Sequence, residues 1–502
     1  MTGKLCRDAV GYVKKPVRSI SGVTVVAVMT MPYPCPHGRC IYCPGGVHWF
    51  EATPQSYVPE SPVVMRAKPL SYDPFEQVKA RLLNYRDMGH NPSKVELIVM
   101  GGTFPAMPLS YQEWFIAECF EALNSYPFFE KAKDQVSVRE AHRRNEYAKV
   151  RCVGLTIETR PDWAKEKQVD LMLYLGATRC EIGVQAIDDD VLARVKRGHR
   201  VEDIVEATRI LKDSGFKVCY HIMPGLPGSD PSKDLEMFKA LFSDSRFKPD
   251  QLKIYPTLVV PGTELYEMWR RGEYRGYNID EAVKLIAEMK KIVPKYVRIV
   301  RVGRDIPLRW VAAGPKTGNL RQLVLDYMEK TGWRCRCIRC REVGHYILKT
   351  MKTPKPNELK LSRIDYEASG GYEVFLSYED ENNILYSILR LRIPSIKAHR
   401  WEFKSGKCSI VRELHVYGYQ VPVGARYEGE LWWQHKNLGR KLLAEAEKIS
   451  LEEFNCSHIY IISGVGAREY YRSLGYTMLN NSPYMYKNLS TINVNSFKAN
   501  LR

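Results

Sequence analysis

From about residue 23 to 310, short runs of β-branched and apolar residues alternate with longer segments of helical period, and no other pattern restricts the fold as strongly. The strand candidates are 23–28, 95–100, 153–157, 179–184, 217–222 and 251–258; helical periodicity occupies 73–88, 110–124, 188–195, 202–214 and 280–293. Strands that alternate with helices imply a parallel sheet with crossover helices, either a barrel or a partial barrel. The pattern breaks at Thr353-Pro-Lys-Pro-Asn-Glu358, where two prolines mark a boundary. Beyond it, strands at 372–378, 384–393 and 409–417, a helix at 438–454, a strand at 457–463 and a short helix at 467–474 make a separate α+β domain.

With 502 residues the chain has room for two to four domains. Its longest early apolar run, 23–31, is too short to span a bilayer, and no cleavage-type signal precedes it, so neither membrane nor export is indicated. Lys and Arg number 75 against 57 acids, a formal +18, which suits either a polyanionic partner or a merely basic, soluble protein. The first 20 residues hold Lys4, Arg7, Lys14, Lys15 and Arg18 against Asp8 and read as a basic arm. Basic runs at 290–304, 331–363 and 388–412 favour phosphate contacts, though each alone reads equally as a solvated face.

Six of the 13 cysteines fall in two tight clusters, which suggests metal and a reducing cytoplasm rather than a disulfide framework. Cys35-Pro-His-Gly-Arg-Cys40-Ile-Tyr-Cys43 follows the first strand, at the end of the barrel where active sites gather. Three thiolates hold three irons of a [4Fe–4S] cluster and leave the fourth open to a substrate. The alternative is a structural zinc completed by His37. Cys335-Arg-Cys337-Ile-Arg-Cys340 offers three more thiols among arginines, for zinc with a fourth ligand such as His345, or as reduced surface cysteines.

The first loop resembles radical S-adenosylmethionine (SAM) enzymes, with x4 in place of their commonest x3 spacing and Tyr42 before the third cysteine. In that family a glycine pair approaches SAM, as Gly101 and Gly102 would in Met100-Gly-Gly-Thr103; Glu158 and Gln185 stand at strand ends where SAM contacts are expected, and Lys253 is a further candidate. Gln434-His-Lys-Asn-Leu-Gly439-Arg-Lys441 resembles the pyrophosphate loop of GNAT acetyltransferases, with Asn437 in place of the first glycine. Glu413-Leu-His-Val416 lies at a strand end where such domains splay two strands around pantetheine, and Tyr470 and Tyr471 fall in the segment that supplies a tyrosine near the thioester.

Together with Lys15-Pro-Val-Arg-Ser-Ile-Ser-Gly-Val, Ile157-Glu-Thr-Arg-Pro-Asp162, Leu252-Lys-Ile-Tyr-Pro-Thr-Leu258, Val411-Arg-Glu-Leu-His-Val-Tyr-Gly418 and Ile462-Ser-Gly-Val-Gly466, these motifs resemble the catalytic third subunit of Elongator, the tRNA carboxymethyluridine synthase family, from about residue 14 to 487. The resemblance implies an α/β chain: a radical SAM partial TIM-type barrel (21–325), a cysteine-rich zinc junction (326–360) and an α+β GNAT domain (361–490), between the basic arm (1–20) and a tail (491–502). Many members carry a longer tRNA-binding region, of which the arm would be a truncated form.

It further implies that radical SAM chemistry on acetyl-CoA adds a carboxymethyl group to carbon 5 of the wobble uridine, in the cytoplasm. Cys35, Cys40 and Cys43 match the cluster ligands. Lys94, Glu413, Leu414, His415, Val416, Leu438, Gly439, Arg440 and Tyr471 match acetyl-CoA contacts, with Tyr471 and Lys94 also the catalytic candidates and Lys94 placed at the barrel mouth as a cation for a CoA phosphate. A homodimer and Elongator-type partner subunits are left open. A protein lysine acetyltransferase with a structural barrel and a non-catalytic tRNA-binding scaffold are the competing readings.

Overall fold

The computed structural model describes residues 13–404, 406–423, 425, 432–434 and 436–491. Seven parallel strands form the first sheet in sequential order: β1 (Thr24–Met29), β2 (Lys94–Met100), β3 (Arg151–Thr159), β4 (Arg179–Gln185), β5 (Lys217–Ile222), β6 (Gln251–Ile254) and β7 (Arg298–Val302). β1 and β7 do not pair, so the barrel is partial. Its strands are rich in Val and Ile because both faces are covered, the outer one by crossover helices such as Val201–Asp213 and Ile279–Ile292. The second opens with a capping box at Asn278, and at the first the Asp203 carboxylate accepts from the Arg200 N–H.

A second sheet holds β8 (Lys360–Ala368), β9 (Gly371–Glu379), β10 (Leu385–Ile393), β11 (Cys408–Val416), β12 (His458–Ile461), β13 (Thr477–Met478) and β14 (Met485–Asn488), ordered β13-β14-β12-β11-β10-β9-β8. Only β11 and β12 run parallel. The helix Leu438–Glu452 covers one face through Leu442, Leu443, Ala446 and Ile449. No helix among the described residues is long and apolar enough to cross a membrane.

The other face of this sheet closes the N-terminal end of the barrel strands, opposite the cysteine loop. The contact is close enough to demand glycine: a Cβ on Gly464 would fall 2.2 Å from the Val153 carbonyl oxygen, and one on Gly466 would fall 2.4 Å from Arg151 Cβ. The Ser-Gly-Val-Gly segment thus lets the second domain lie directly on the backbone of β3. At the centre of the interface, Lys212, Arg390, Arg392 and Arg412 meet Asp213, Asp250, Glu373 and Glu413, four cations against four carboxylates. Arg412 holds Asp250 through two bonds of 2.7 and 2.8 Å, and both side chains are fully buried.

This arrangement removes part of two of the basic runs from any phosphate-binding surface. In 388–412, Arg390, Arg392 and Arg412, three of the four arginines, are internal and neutralised, while Lys397, Lys404 and Lys407 are exposed. In 290–304, Lys290 is buried, Arg298 pairs with Glu342 at 2.6 Å, Arg301 pairs with Asp305, and Arg304 donates to Ser56. Charges of one sign gathered in sequence are here distributed to acids elsewhere in the chain.

Residues 1–12 of the basic arm, and the tail beyond 491, lie outside the described residues. The rest of the arm is docked. The Lys14 N–H donates to the Met88 carbonyl, and the Ser21 hydroxyl donates to Glu342 at 2.7 Å. Ser21 also bridges Gly418, so the segment ties barrel, junction and second sheet together.

Candidate active site

The loop after β1 turns its three thiols into a cavity of about 150 Å3 at the C-terminal end of the barrel strands. His37 stands between two of them, with Nδ1 3.1 Å from Cys35 Sγ and Nε2 3.1 Å from Cys40 Sγ. Burial, with Arg160 and Arg197 nearby, lowers His37 to about 3, so the imidazole is neutral. The Gln55 amide donates to Cys43 Sγ at 3.2 Å, and Arg197 reaches Cys40 Sγ at 3.6 Å. Burial pushes the Cys43 thiol up.

Among the described residues, two groups of ligand atoms converge within 4.8 Å of one another: Cys335, Cys337 and Cys340, and Glu181, Cys219 and His221. Cys35, Cys40 and Cys43 are not such a group. Three thiols around a cavity, too far apart for one tetrahedral ion, fit a multi-iron cluster better than zinc.

The rest of the cavity wall mixes polar groups with apolar ones such as Met100, Met223 and Ile306. Gly101 and Gly102, at φ 137° and 103°, follow β2; a Cβ on Gly101 would lie 2.0 Å from Thr30 Oγ1. Gln185 is held at φ 70° and presents a buried Oε1 that has no protein partner. An orphaned acceptor in a cavity wall fits a ligand that donates to it. Glu158 accepts from the Tyr57 hydroxyl at 3.4 Å and lies 3.5 Å from the Lys253 ammonium. Lys253 also pairs with Glu181, which His221 contacts at 2.8 Å. Burial alone would lower Lys253, but Glu181, with Glu158, holds it well above the ordinary lysine range. This ammonium already supplies the positive charge that a metal ion between Glu181, Cys219 and His221 would bring.

The junction thiols behave differently. Cys335, Cys337 and Cys340 converge as ligands of one ion do, and hydrogen bonds from Cys335 and Cys340 hold Cys337 well below its ordinary value. His345 is not the fourth member: its Nε2 pairs with the buried Glu342 at 3.0 Å.

At the opposite end of the barrel, β11 pairs with β12 only as far as Val411 opposite Ile461, then continues to Val416 with β10 as its one neighbour. The N-terminus of the helix Leu438–Glu452 faces this splay. Asn437 takes the left-handed conformation at φ 62°, and a Cβ on Gly439 would lie 3.7 Å from Val416 and 3.8 Å from Leu414. The same Cβ would lie 3.0 Å from the Tyr470 hydroxyl, whereas Tyr471 is buried in the core with Tyr476. Glu413 is paired with Arg390 at 2.7 Å, His415 bonds the Ser21 carbonyl at 2.7 Å, and Arg440 is exposed beside Gly439.

Lys94 requires a correction. It opens β2, so it stands at the far end of that strand from Gly101, about 20 Å from the barrel mouth at ~3.3 Å rise per residue. Its ammonium donates to Gln434 Oε1 at 2.6 Å, and burial lowers it to about 8.

Residues 31–241 match the Radical SAM superfamily model and 249–330 the Radical SAM C-terminal domain. A Methanocaldococcus jannaschii protein named tRNA uridine(34) acetyltransferase is 53% identical over 465 residues, 92% of this chain and 84% of that protein. The Drosophila melanogaster Elongator complex protein 3 is 45% identical over 486 residues, covering 95% and 86%. The solved structure of the archaeal Methanocaldococcus infernus Elp3 with an N-terminal deletion superposes with a TM-score of 0.81 at 48% identity, covering 94% of this chain and all of that one. The chain belongs to the Elongator complex protein 3 family.

In this family member the sequence motifs named Gly102, Glu158, Gln185 and Lys253, which all line the cavity, whereas Gly101 packs against Thr30. The motifs placed Gln434 in the pyrophosphate loop but did not foresee its contacts with the barrel. Its side chain donates to the Gly22 and Val416 carbonyls and accepts from Lys94 and the Val421 N–H, so one amide joins four segments. Arg197 was also missed as a partner of Cys40; its signal was the Arg197-Gly-His199 motif, which carries no distance information by itself.

Proposed function

We propose that the chain modifies uridine 34 of tRNA, using radical SAM chemistry on acetyl-CoA to place a carboxymethyl group on carbon 5 of the wobble base. The observation that carries this reading is the match across both sheets to the M. jannaschii protein named tRNA uridine(34) acetyltransferase. Cys35, Cys40 and Cys43 hold a [4Fe–4S] cluster, which supplies the electron that cleaves SAM. Gly101 and Gly102 admit the SAM amino end, Gln185 accepts a hydrogen bond from it, and Glu158 and Lys253 fix its polar groups. Cys335, Cys337 and Cys340 hold zinc and stiffen the junction.

On the second domain, backbone groups of Glu413, Leu414, His415 and Val416 receive the pantetheine arm. The turn at Leu438, Gly439 and Arg440 takes the pyrophosphate, and Tyr471, buried beside the exposed Tyr470, is the candidate for the thioester end. Lys94 supplies a cation at that end of the barrel. Because its ammonium is lost above about pH 8, acetyl-CoA affinity is expected to be highest below pH 8 and to fall about tenfold above it. Calorimetry across that range tests this: Lys94→Met binds weakly at every pH, and a pH-independent wild type removes the role.

The deciding experiment is anaerobic incubation of reconstituted protein with SAM, reductant, acetyl-CoA and tRNA, followed by nucleoside mass spectrometry. Carboxymethyluridine that requires all four is the expected result. Cleaved SAM with unmodified uridine would remove carboxymethylation and leave the barrel chemistry standing.

A further inference from the structure

One exposed aromatic surface at the cavity rim has no role in the chemistry above. The loop between Gly46 and Thr53, closed by their backbone bridge, carries Trp49 and Phe50. Trp49 is buried, with the Arg39 guanidinium 4.7 Å from its ring centre and its indole so close to Gly262 that a Cβ there would approach to 2.9 Å. Phe50 is 74% exposed, yet its ring is stacked on Trp310 at 5.7 Å and 17°. Trp310 is fixed in turn, because its indole N–H donates to Glu60, which also pairs with Arg309. One face of Phe50 is therefore backed by an anchored ring, and the bulk of its surface meets solvent.

The position of this ring is informative. Gln55 and Ser56, a few residues after Phe50, line the cavity, and so do Arg304 and Ile306, a few residues before Trp310. Arg304 ties the two segments together by donating to the Ser56 carbonyl and hydroxyl at 2.9 and 2.7 Å. The platform is thus continuous with the cavity rim. It offers a flat face without walls, which suits a planar partner, whereas an inserted protein side chain needs a groove. Arg39, over Trp49, and Arg309, paired with Glu60 beside Trp310, bring guanidinium groups to its edge that suit a polyanion.

We propose that Phe50, backed by Trp310, is a stacking platform for the unpaired nucleobase beside the one that enters the cavity. The substrate is then recognised as a single-stranded loop, since only unstacked bases present a free face. This rests on the reading that the substrate is RNA.

The test uses the whole protein and a short RNA stem-loop with an unpaired uridine at its tip, next to a fluorescent adenine analogue that dims on stacking. Phe50→Ala is expected to weaken binding about tenfold, to abolish the dimming and to leave the salt slope of affinity unchanged. Phe50→Trp retains binding and dimming, while Phe50→Leu, apolar but not planar, loses the dimming. Thermal melting separates misfolding from lost stacking. If Phe50→Ala binds as tightly as wild type with dimming intact, the platform is overturned, and the exposed ring serves a protein partner or nothing. If wild type itself binds no stem-loop, the RNA reading falls and the platform with it.

Discussion

Cys40→Ser is expected to lose the bound iron and sulfide and, with them, all SAM cleavage above background. The Cys40 sulfur is buried, carries Arg197 at 3.6 Å and His37 at 3.1 Å, and faces the same cavity as Cys35 and Cys43. A serine hydroxyl at that position is a hard, protonated donor, and two thiolates cannot anchor a cluster that already leaves one iron open. Cys337→Ser is the informative comparison, because its sulfur belongs to the other group of thiols. Iron analysis and deoxyadenosine release should separate the two variants; equal iron loss in both would remove the division of labour between the clusters.

Asp250→Asn should produce the largest loss of stability. Asparagine keeps the volume but removes the charge that neutralises Arg412, Arg390 and Lys212 in a site with no water access. Breaking a buried pair in this way costs about 3–5 kcal/mol, because it leaves uncompensated charge. By contrast, Lys68→Ala, which breaks a half-exposed pair with Glu51, should cost less than about 1 kcal/mol.

Burial alone would raise Asp250 and Glu373, but Arg412 and its neighbours outweigh it and hold both below the usual carboxylate range. Their contribution is therefore complete above the unfolded carboxylate value, near 4, and lost as pH falls through the lower folded values. Urea titrations of wild type and variant at neutral and acid pH should converge as the acid limit is approached. A constant difference would assign the loss to packing instead.

Six of the seven barrel strands were legible, because Val- and Ile-rich runs between helical segments have no competing interpretation. β7 was not: in Arg298-Ile-Val-Arg-Val302 the arginines read as surface, and Glu342, which neutralises Arg298, lies 44 residues away. β8 was hidden for a related reason, since Lys360, Arg363, Asp365 and Glu367 give this edge strand the appearance of a charged linker.

The residue types around the cavity could be read from motifs, but the end of the barrel to which each belongs could not. Lys94 shows why. A strand has two ends, and composition does not say which end a lysine at its boundary will face until the second sheet is seen to close one of them.

The sealed ion-pair interface has a consequence for movement. Opening it like a hinge would carry four cations and four carboxylates through partly dehydrated states, and glycines 464 and 466 leave no clearance for sliding. Many two-centre enzymes swing one domain towards the other. In the reaction proposed above, a rigid pair of walls would leave traffic between the two ends of the barrel to the passengers: a long, jointed acyl carrier and a pliable loop of nucleic acid.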